Sequence, residues 1–305
     1  MTMYEQERNI LSSLMRDHED IVGSSRATML ALQSLITSVR ELRCPQNQLR
    51  SEFAELADVI RQTRPKIIPL IHLMIEFEDE ISEYLDGDLE TVQEKAAAIL
   101  QAKHDKLEDK INRIGQLGLT CIQDDDIIVL HTASPDVTNM IAMAKEEIGR
   151  KIKVIVLKQD FVKTKKLLTI LEKAHVELEI IPEFSLSHYI EQASKLFVGA
   201  LSITHDHQAI SAAGTANIAS LCHFHNIPVY MFANTLKISH GRSEAQRIHE
   251  KHVIQMEKDT NYILTTYSHD MVNLGLIDFL VTEDGIFPKE SVVGYVAQVR
   301  NQHRH

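Results

Sequence analysis

Tryptophan is absent from this chain of 305 residues, and aromatic residues make up only 5% of it. Stacking of successive bases needs aromatic platforms, so the composition argues against a single-strand nucleic-acid binder. Basic residues are also short: 32 Lys and Arg stand against 43 Asp and Glu, a net charge of -11. Phosphate contacts favour a basic face, and no direct nucleic-acid partner is expected. No run approaches eighteen uninterrupted apolar residues, and the opening MTMYEQERN is acidic rather than basic and apolar. Neither a membrane span nor a signal peptide is expected. The cysteines are Cys44, Cys121 and Cys222, odd in number, far apart and in no C-x-x-C arrangement, which fits a reduced, cytoplasmic compartment. No G-x-x-x-x-G-K-[ST], G-x-G-x-x-G or G-x-S-x-G occurs. Phosphate-loop, dinucleotide and serine-hydrolase chemistry therefore have no motif here, and no cofactor is expected.

What is present is helix first and alternation second. The chain is 44% hydrophobic, enough for a sizeable core, and its length suggests two domains, a helical one over 1–117 and an α/β one over 118–305. Apolar residues three and four apart predict helices over Glu5–Leu14, Ala27–Leu42, Asn47–Arg61, Ile67–Leu85 and Leu89–Leu117. Ser24 and Ser25 are good caps for the second. Cys44-Pro45, Arg64-Pro65 and Gly87-Asp88 punctuate them. The last helix is long and charged, suited to bridging two domains.

After Gly118 short β-branched runs alternate with helical segments, the pattern of parallel strands joined by crossover helices. Strands are predicted at Ile127–His131, Lys153–Leu157, Glu177–Ile181, Leu196–Ala200, Val229–Ala233 and Leu280–Thr282. Helices are predicted at Val137–Ile148, Val162–Ala174, Leu186–Ala193 and Thr215–His225. The expected fold is a helical region followed by a Rossmann-like, doubly wound, mostly parallel sheet. Ligands in such sheets sit outside the carboxyl ends of the strands. In the stretch Lys195–Thr215 a buried strand ends at Gly199-Ala200, a polar loop follows, and Gly214-Thr215 opens a helix that Thr215 or Ser211 can cap. A strand feeding a helix N-terminus makes an anion-friendly corner.

That corner resembles one superfamily, in which a strand ending G-A-D is followed by an N-G loop and N-K-I-G-T at a helix start. It contains the alpha, beta and delta regulatory subunits of eukaryotic translation initiation factor 2B, ribose-1,5-bisphosphate isomerase and methylthioribose-1-phosphate isomerase. The spacing fits without a gap, with Gly199, Ala200, Gly214 and Thr215 kept, but Leu201 stands for the aspartate and Ser211-Ala212 for Asn-Lys. His131 and Ser134 match the family's L-T-H-C-N-S segment, where Thr132 replaces cysteine. The resemblance implies that this cysteine and aspartate are the isomerases' catalytic pair. Neither threonine nor leucine titrates usefully, so no catalytic residue is assigned. Lys158 and Asp160 reverse the signs of the family's Glu-x-Arg-Pro segment. With the motif lysine also gone, two cationic phosphate contacts are missing. Asp270 falls in the family's F-D-x-T-P-P segment, and Arg26 where relatives carry an arginine at a helix start near the ligand.

The resemblance thus implies a degenerate pocket of Arg26, His131, Thr132, Ser134, Leu201, Ser211, Gly214, Thr215 and Asp270. It implies a non-catalytic regulatory subunit that acts by protein association, as a homodimer through the C-terminal region or with related subunits. Ile218, Leu221, Val229 and Met231 would supply apolar area for the dimer. Any sugar phosphate or nucleotide is expected to bind weakly. The alternative is a divergent aldose-ketose isomerase that uses His131, His205 or Asp270 instead. His205-Asp206-His207 and His223-Phe224-His225 have the residue types of a metal site. The first group falls in a loop, where the i, i+2 spacing converges only if the loop is ordered, the second at a helix end, where it diverges, and no cysteine joins either, so no metal is expected.

Overall fold

The computed structural model describes residues 23–62, 66–131, 134–159, 161–241, 250–257, 260–267 and 269–302. The helix expected at Glu5–Leu14 lies outside them. Helix α1 covers 23–41. It is followed by α2 (Leu49–Gln62), α3 (Ile68–Ser82) and α4 (Leu89–Leu119). One core joins them, with Leu32, Leu35, Phe53, Ile60, Leu70 and Phe77 all buried. Asp88 caps α4 by accepting from Thr91 N at 2.9 Å, which is why the chain restarts a helix just after Gly87. Ser24 and Ser25 are not caps: α1 already includes them, and their hydroxyls reach across to the sheet region.

Helix α4 runs 31 residues, a length of roughly 46 Å at 1.5 Å per residue. Val92, Ala96, Leu100 and Leu107 belong to the helical core. Ile114, Leu117 and Leu119 pack on the sheet's core instead. One continuous element therefore serves both.

The main sheet is built of β1 (Ile127–His131), β2 (Lys153–Lys158), β3 (Glu177–Pro182), β4 (Lys195–Gly199), β7 (Val229–Phe232), β11 (Phe279–Thr282) and β12 (Gly285–Pro288). Its order is β12-β11-β7-β4-β1-β2-β3, parallel throughout except for the β11–β12 pair. α5 (Pro135–Glu146) and α6 (Phe161–Lys173) lie with α4 on one face. α7 (Thr215–Phe224) and α8 (Lys289–Gln302) cover the other. The strand order reverses between β1 and β4, so the crevice for a ligand in this topology opens above His131 and Gly199.

The structure departs from the sequence reading in three further places. Leu186–Ala193 is not one helix but two 3-10 turns, Glu183–His188 and Ile190–Gln192, because Tyr189 at φ -114° lies outside the helical basin. Leu186 and Ile190 are still buried. Second, antiparallel pieces appear: a small sheet β10-β6-β5, of β5 (Ser202–Ile203), β6 (Gln208–Ala212) and β10 (His269–Asn273), and a hairpin of β8 (Glu250–Glu257) and β9 (Thr260–Tyr267). The strands of the small sheet are two to five residues long, too short to carry a periodic signal. Third, Ile218, Val229 and Met231 are at most 4% exposed within this chain, so they are core rather than spare dimer surface.

Candidate functional site

β1 delivers His131 to the crevice, and α7 meets it there. His131 is buried. Its Nδ1 lies 3.0 Å from Thr215 Oγ1 and its Nε2 lies 2.9 Å from Glu183 Oε1. The Thr215 hydroxyl has one proton, which it donates to the Ala212 carbonyl at 2.6 Å. Thr215 therefore accepts from His131, which fixes a proton on Nδ1. The contact between Nε2 and the carboxylate then holds one more proton, shared between imidazole and Glu183. His131 thus joins β1, α7 and the turn after β3 in one buried polar link.

The N-terminus of α7 receives a carboxylate from another strand. Register pairs Asp270 of β10 with Ser211 of β6, three residues before Gly214. From there Asp270 Oδ2 accepts from both Gly214 N and Ala216 N at 3.0 Å. Gly214 itself has φ +95°, and neither Thr215 nor Ser211 caps the helix. Ser211 instead donates to the Gly199 carbonyl at 3.0 Å. A second carboxylate closes the corner, since a Cβ placed on Gly214 would lie 2.5 Å from Glu183 Oε2. The anion-friendly corner expected from the sequence thus faces two of the protein's own carboxylates.

The remaining candidates gather a few residues away, under the start of α1. Ser24 Oγ donates to the Leu201 carbonyl at 3.0 Å, and Gly23 abuts Ser134. Leu201 and Ser134 are half-buried, whereas Arg26 is exposed. Beside Ser134 is a cavity of about 30 Å³ lined in part by Ser25, Ser134, Asp136, Asn234 and Lys237. Of the candidates read from the sequence, only Ser134 lines it. Thr132 lies outside the described residues, as does Asp160, while Lys158 is exposed.

Lys237 is 5% exposed and donates to the Ala200 carbonyl at 2.7 Å. Burial pushes its amine down to about 8, against the opposing charges of Asp136 and Glu283. Burial pushes the Asp136 carboxyl up, against Lys237, Arg26 and a hydrogen bond from Ser134. Sequence reading missed Glu183, Asp136, Asn234 and Lys237. All four follow strand ends, the positions that the topology itself marks. Among the described residues, the group whose potential ligand atoms fall within 4.8 Å of one another is His104, Asp105 and Glu108 on α4, not either histidine pair noted above.

Comparison with known proteins gives a consistent picture. The model of the Initiation factor 2 subunit family matches residues 20–289. The chain is 25% identical over 296 residues to the ribose 1,5-bisphosphate isomerase of Haloterrigena turkmenica, covering 89% of this chain and 86% of that one. It is 26% identical over 237 residues to the putative translation initiation factor eIF-2B subunit 2-like of Pyrococcus horikoshii, covering 76% and 79%. Among solved structures, the translation initiation factor eIF-2B of Pyrococcus horikoshii superposes with a TM-score of 0.77 at 23% identity, over 93% of this chain and 97% of that one. A chain of the tetrameric eIF2B-beta2-delta2 complex from C. thermophilum gives 0.66 at 15% identity, over 98% and 95%.

Proposed function

Because this chain belongs to the Initiation factor 2 subunit family, we propose that it works as a non-catalytic regulatory or scaffold subunit of the eIF-2B type, by associating with a second copy of itself or with related subunits. One observation carries the reading: Asp270 already occupies two of the N–H groups at the start of α7, those of Gly214 and Ala216. A phosphate there would have to displace one carboxylate and approach a second, Glu183. Leu201, at the position of the family's aspartate, offers no ionisable group to move a proton. Two charge-assisted contacts absent from the site correspond to roughly 3 to 6 kcal/mol, a hundredfold or more in affinity. Any sugar phosphate or nucleotide is therefore a weak ligand. The eIF2B beta and delta subunits of the C. thermophilum structure assemble with one another, which supports related subunits as partners. The three free cysteines suit a reduced, cytoplasmic setting.

The test joins an assay with a measurement of mass. Purified protein should leave ribose 1,5-bisphosphate and 5-methylthioribose 1-phosphate unchanged, and light scattering at micromolar concentration should give a dimer. Turnover by the wild type would overturn the non-catalytic half of the reading, and a monomer would overturn homodimerisation.

A second reading, a divergent aldose-ketose isomerase, draws on the proton held between His131 and Glu183 at a strand end. It requires turnover that disappears in His131→Ala.

A further inference from the structure

Association leaves unused the polar side chains gathered under α1. Lys237, Asp136, Asn234, Ser25 and Ser134 share one cavity of about 30 Å³ whose other walls are mostly apolar. The Lys237 amine makes one hydrogen bond among the described residues, to Ala200 O. Asp136 is near enough to act on it electrostatically. Asn234 is 2% exposed, its Nδ2 donates to Ser25 Oγ at 2.9 Å, and its Oδ1 meets no donor. A buried acceptor left without a donor costs about 1–3 kcal/mol. A ligand hydroxyl placed there would recover much of that.

We propose that Lys237 captures a small hydroxy-aldehyde or hydroxy-ketone as an imine in this cavity, with Asp136 moving the protons and Asn234 accepting from the ligand's hydroxyl. The amine nitrogen adds to the carbonyl carbon, and the π pair goes to oxygen, which takes a proton from the Asp136 carboxyl. The Asp136 carboxylate then recovers a proton from nitrogen. A second transfer to the new hydroxyl releases water as the nitrogen pair closes the C=N bond. One water is lost and no redox partner is needed.

The surroundings favour both groups. Burial holds the amine at about 8, so roughly a tenth of it is free base at pH 7, against well under a thousandth for an ordinary lysine. Burial raises the Asp136 carboxyl above the usual carboxylate range, which makes it a better proton carrier beside that base. Burial moves the base down and the acid up, toward one another, which eases proton transfer between them in one cavity. Holding one water takes about 10–15 Å³, so the space suits a two- or three-carbon compound whose carbonyl carbon joins the lysine nitrogen.

Capture needs neither turnover nor a partner protein, so it stands or falls apart from the association reading. The experiment exposes the full chain at pH 7.5 to glycolaldehyde with pulsed borohydride, then maps each lysine by mass spectrometry. Lys237 should be modified at least tenfold faster than the exposed Lys158 and Lys166. Propionaldehyde, isosteric but without the hydroxyl, should lose most of that advantage, and Asn234→Ala should remove the difference between the two aldehydes. Asp136→Asn should slow Lys237 at least tenfold and leave the surface lysines unchanged. Modification of wild-type Lys237 no faster than the surface lysines overturns the proposal, with no variant required to fold.

Discussion

Lys237 carries an ammonium into a space that disfavours it, and the consequence is a stability that depends on pH. Its folded value of about 8 lies below the ordinary lysine value of 10.5. Between the two the unfolded chain binds more protons, so this group's contribution is present above the unfolded value and is lost as pH falls through 8. The full span is worth about 3 kcal/mol. Denaturant unfolding from pH 7.5 to 10.5 should show the wild type gaining stability relative to Lys237→Met, most of it above pH 8; parallel curves would show that the amine is not desolvated. Asp136 acts with the opposite sign, since its raised folded value gives a contribution that is fully present below the unfolded value and is lost as pH rises through the folded one. Gly214 is the other single residue on which the site turns. With φ +95° and Glu183 Oε2 within 2.5 Å of any added Cβ, Gly214→Ala should cost about 1–3 kcal/mol in chemical denaturation. Gly214 and Thr215 were legible in the sequence, because a glycine before a polar residue and an apolar run marks a helix start. Glu183 was not, since only the turn after β3 brings it to that helix.

At the scale of elements, α7 shows how a helix end is completed from outside its own segment. Asp270 does the work of a cap from a strand more than fifty residues away. Asp270→Ala should destabilise by about 1 kcal/mol in the melting temperature or denaturant midpoint, as loss of an N-cap does. Removing the carboxylate also uncovers α7's N–H groups, so the variant should bind inorganic phosphate more tightly than the wild type by calorimetry. Equal weak binding in both would show that Asp270 is not what keeps anions out. The α4–α5 contact makes a second case. A Cβ on Gly118 would lie 2.0 Å from Met140 Sδ and 2.9 Å from the Phe232 ring. Met140 can shift but the ring cannot, so Gly118→Ala should cost about 1–3 kcal/mol despite alanine's better helix propensity.

For the molecule as a whole, one polar link joins the long helix to the sheet's carboxyl edge. Lys110 on α4 donates to Thr235 Oγ1 at 2.9 Å and to Glu283 Oε1 at 2.5 Å. Glu283, 2% exposed, also accepts from Thr235 N at 3.1–3.2 Å and from the Thr235 hydroxyl. Glu283→Ala leaves Lys110 without its carboxylate partner and the Thr235 N–H without its acceptor. It should cost about 3 kcal/mol, near the low end for a broken buried pair because Lys110 keeps some access to water. Since α4 belongs to both cores, the wild type should unfold in one transition by circular dichroism, while Glu283→Ala should broaden it or split it in two.

Sequence alone determined the succession of elements that follow a period. Runs such as IIVLH and KVIVLK declare buried strands within a residue or two of their ends, and the spacing of apolar residues declares α3 and α4, because burial on one face is a local pattern written every two or 3.6 residues. The residue types at Gly199, Gly214 and Thr215 likewise placed a strand end and a helix start before any fold was known. The tertiary structure alone decided what fills the crevice. Glu183 meets Asp270 at the start of α7, and Asp136 meets Lys237 in the cavity under α1, each pair from separate segments, and nothing periodic announces either meeting. Which carboxylate caps α7, which proton sits between His131 and Glu183, and which lysine loses its water are consequences of long-range packing. Sequence spacing does not encode them.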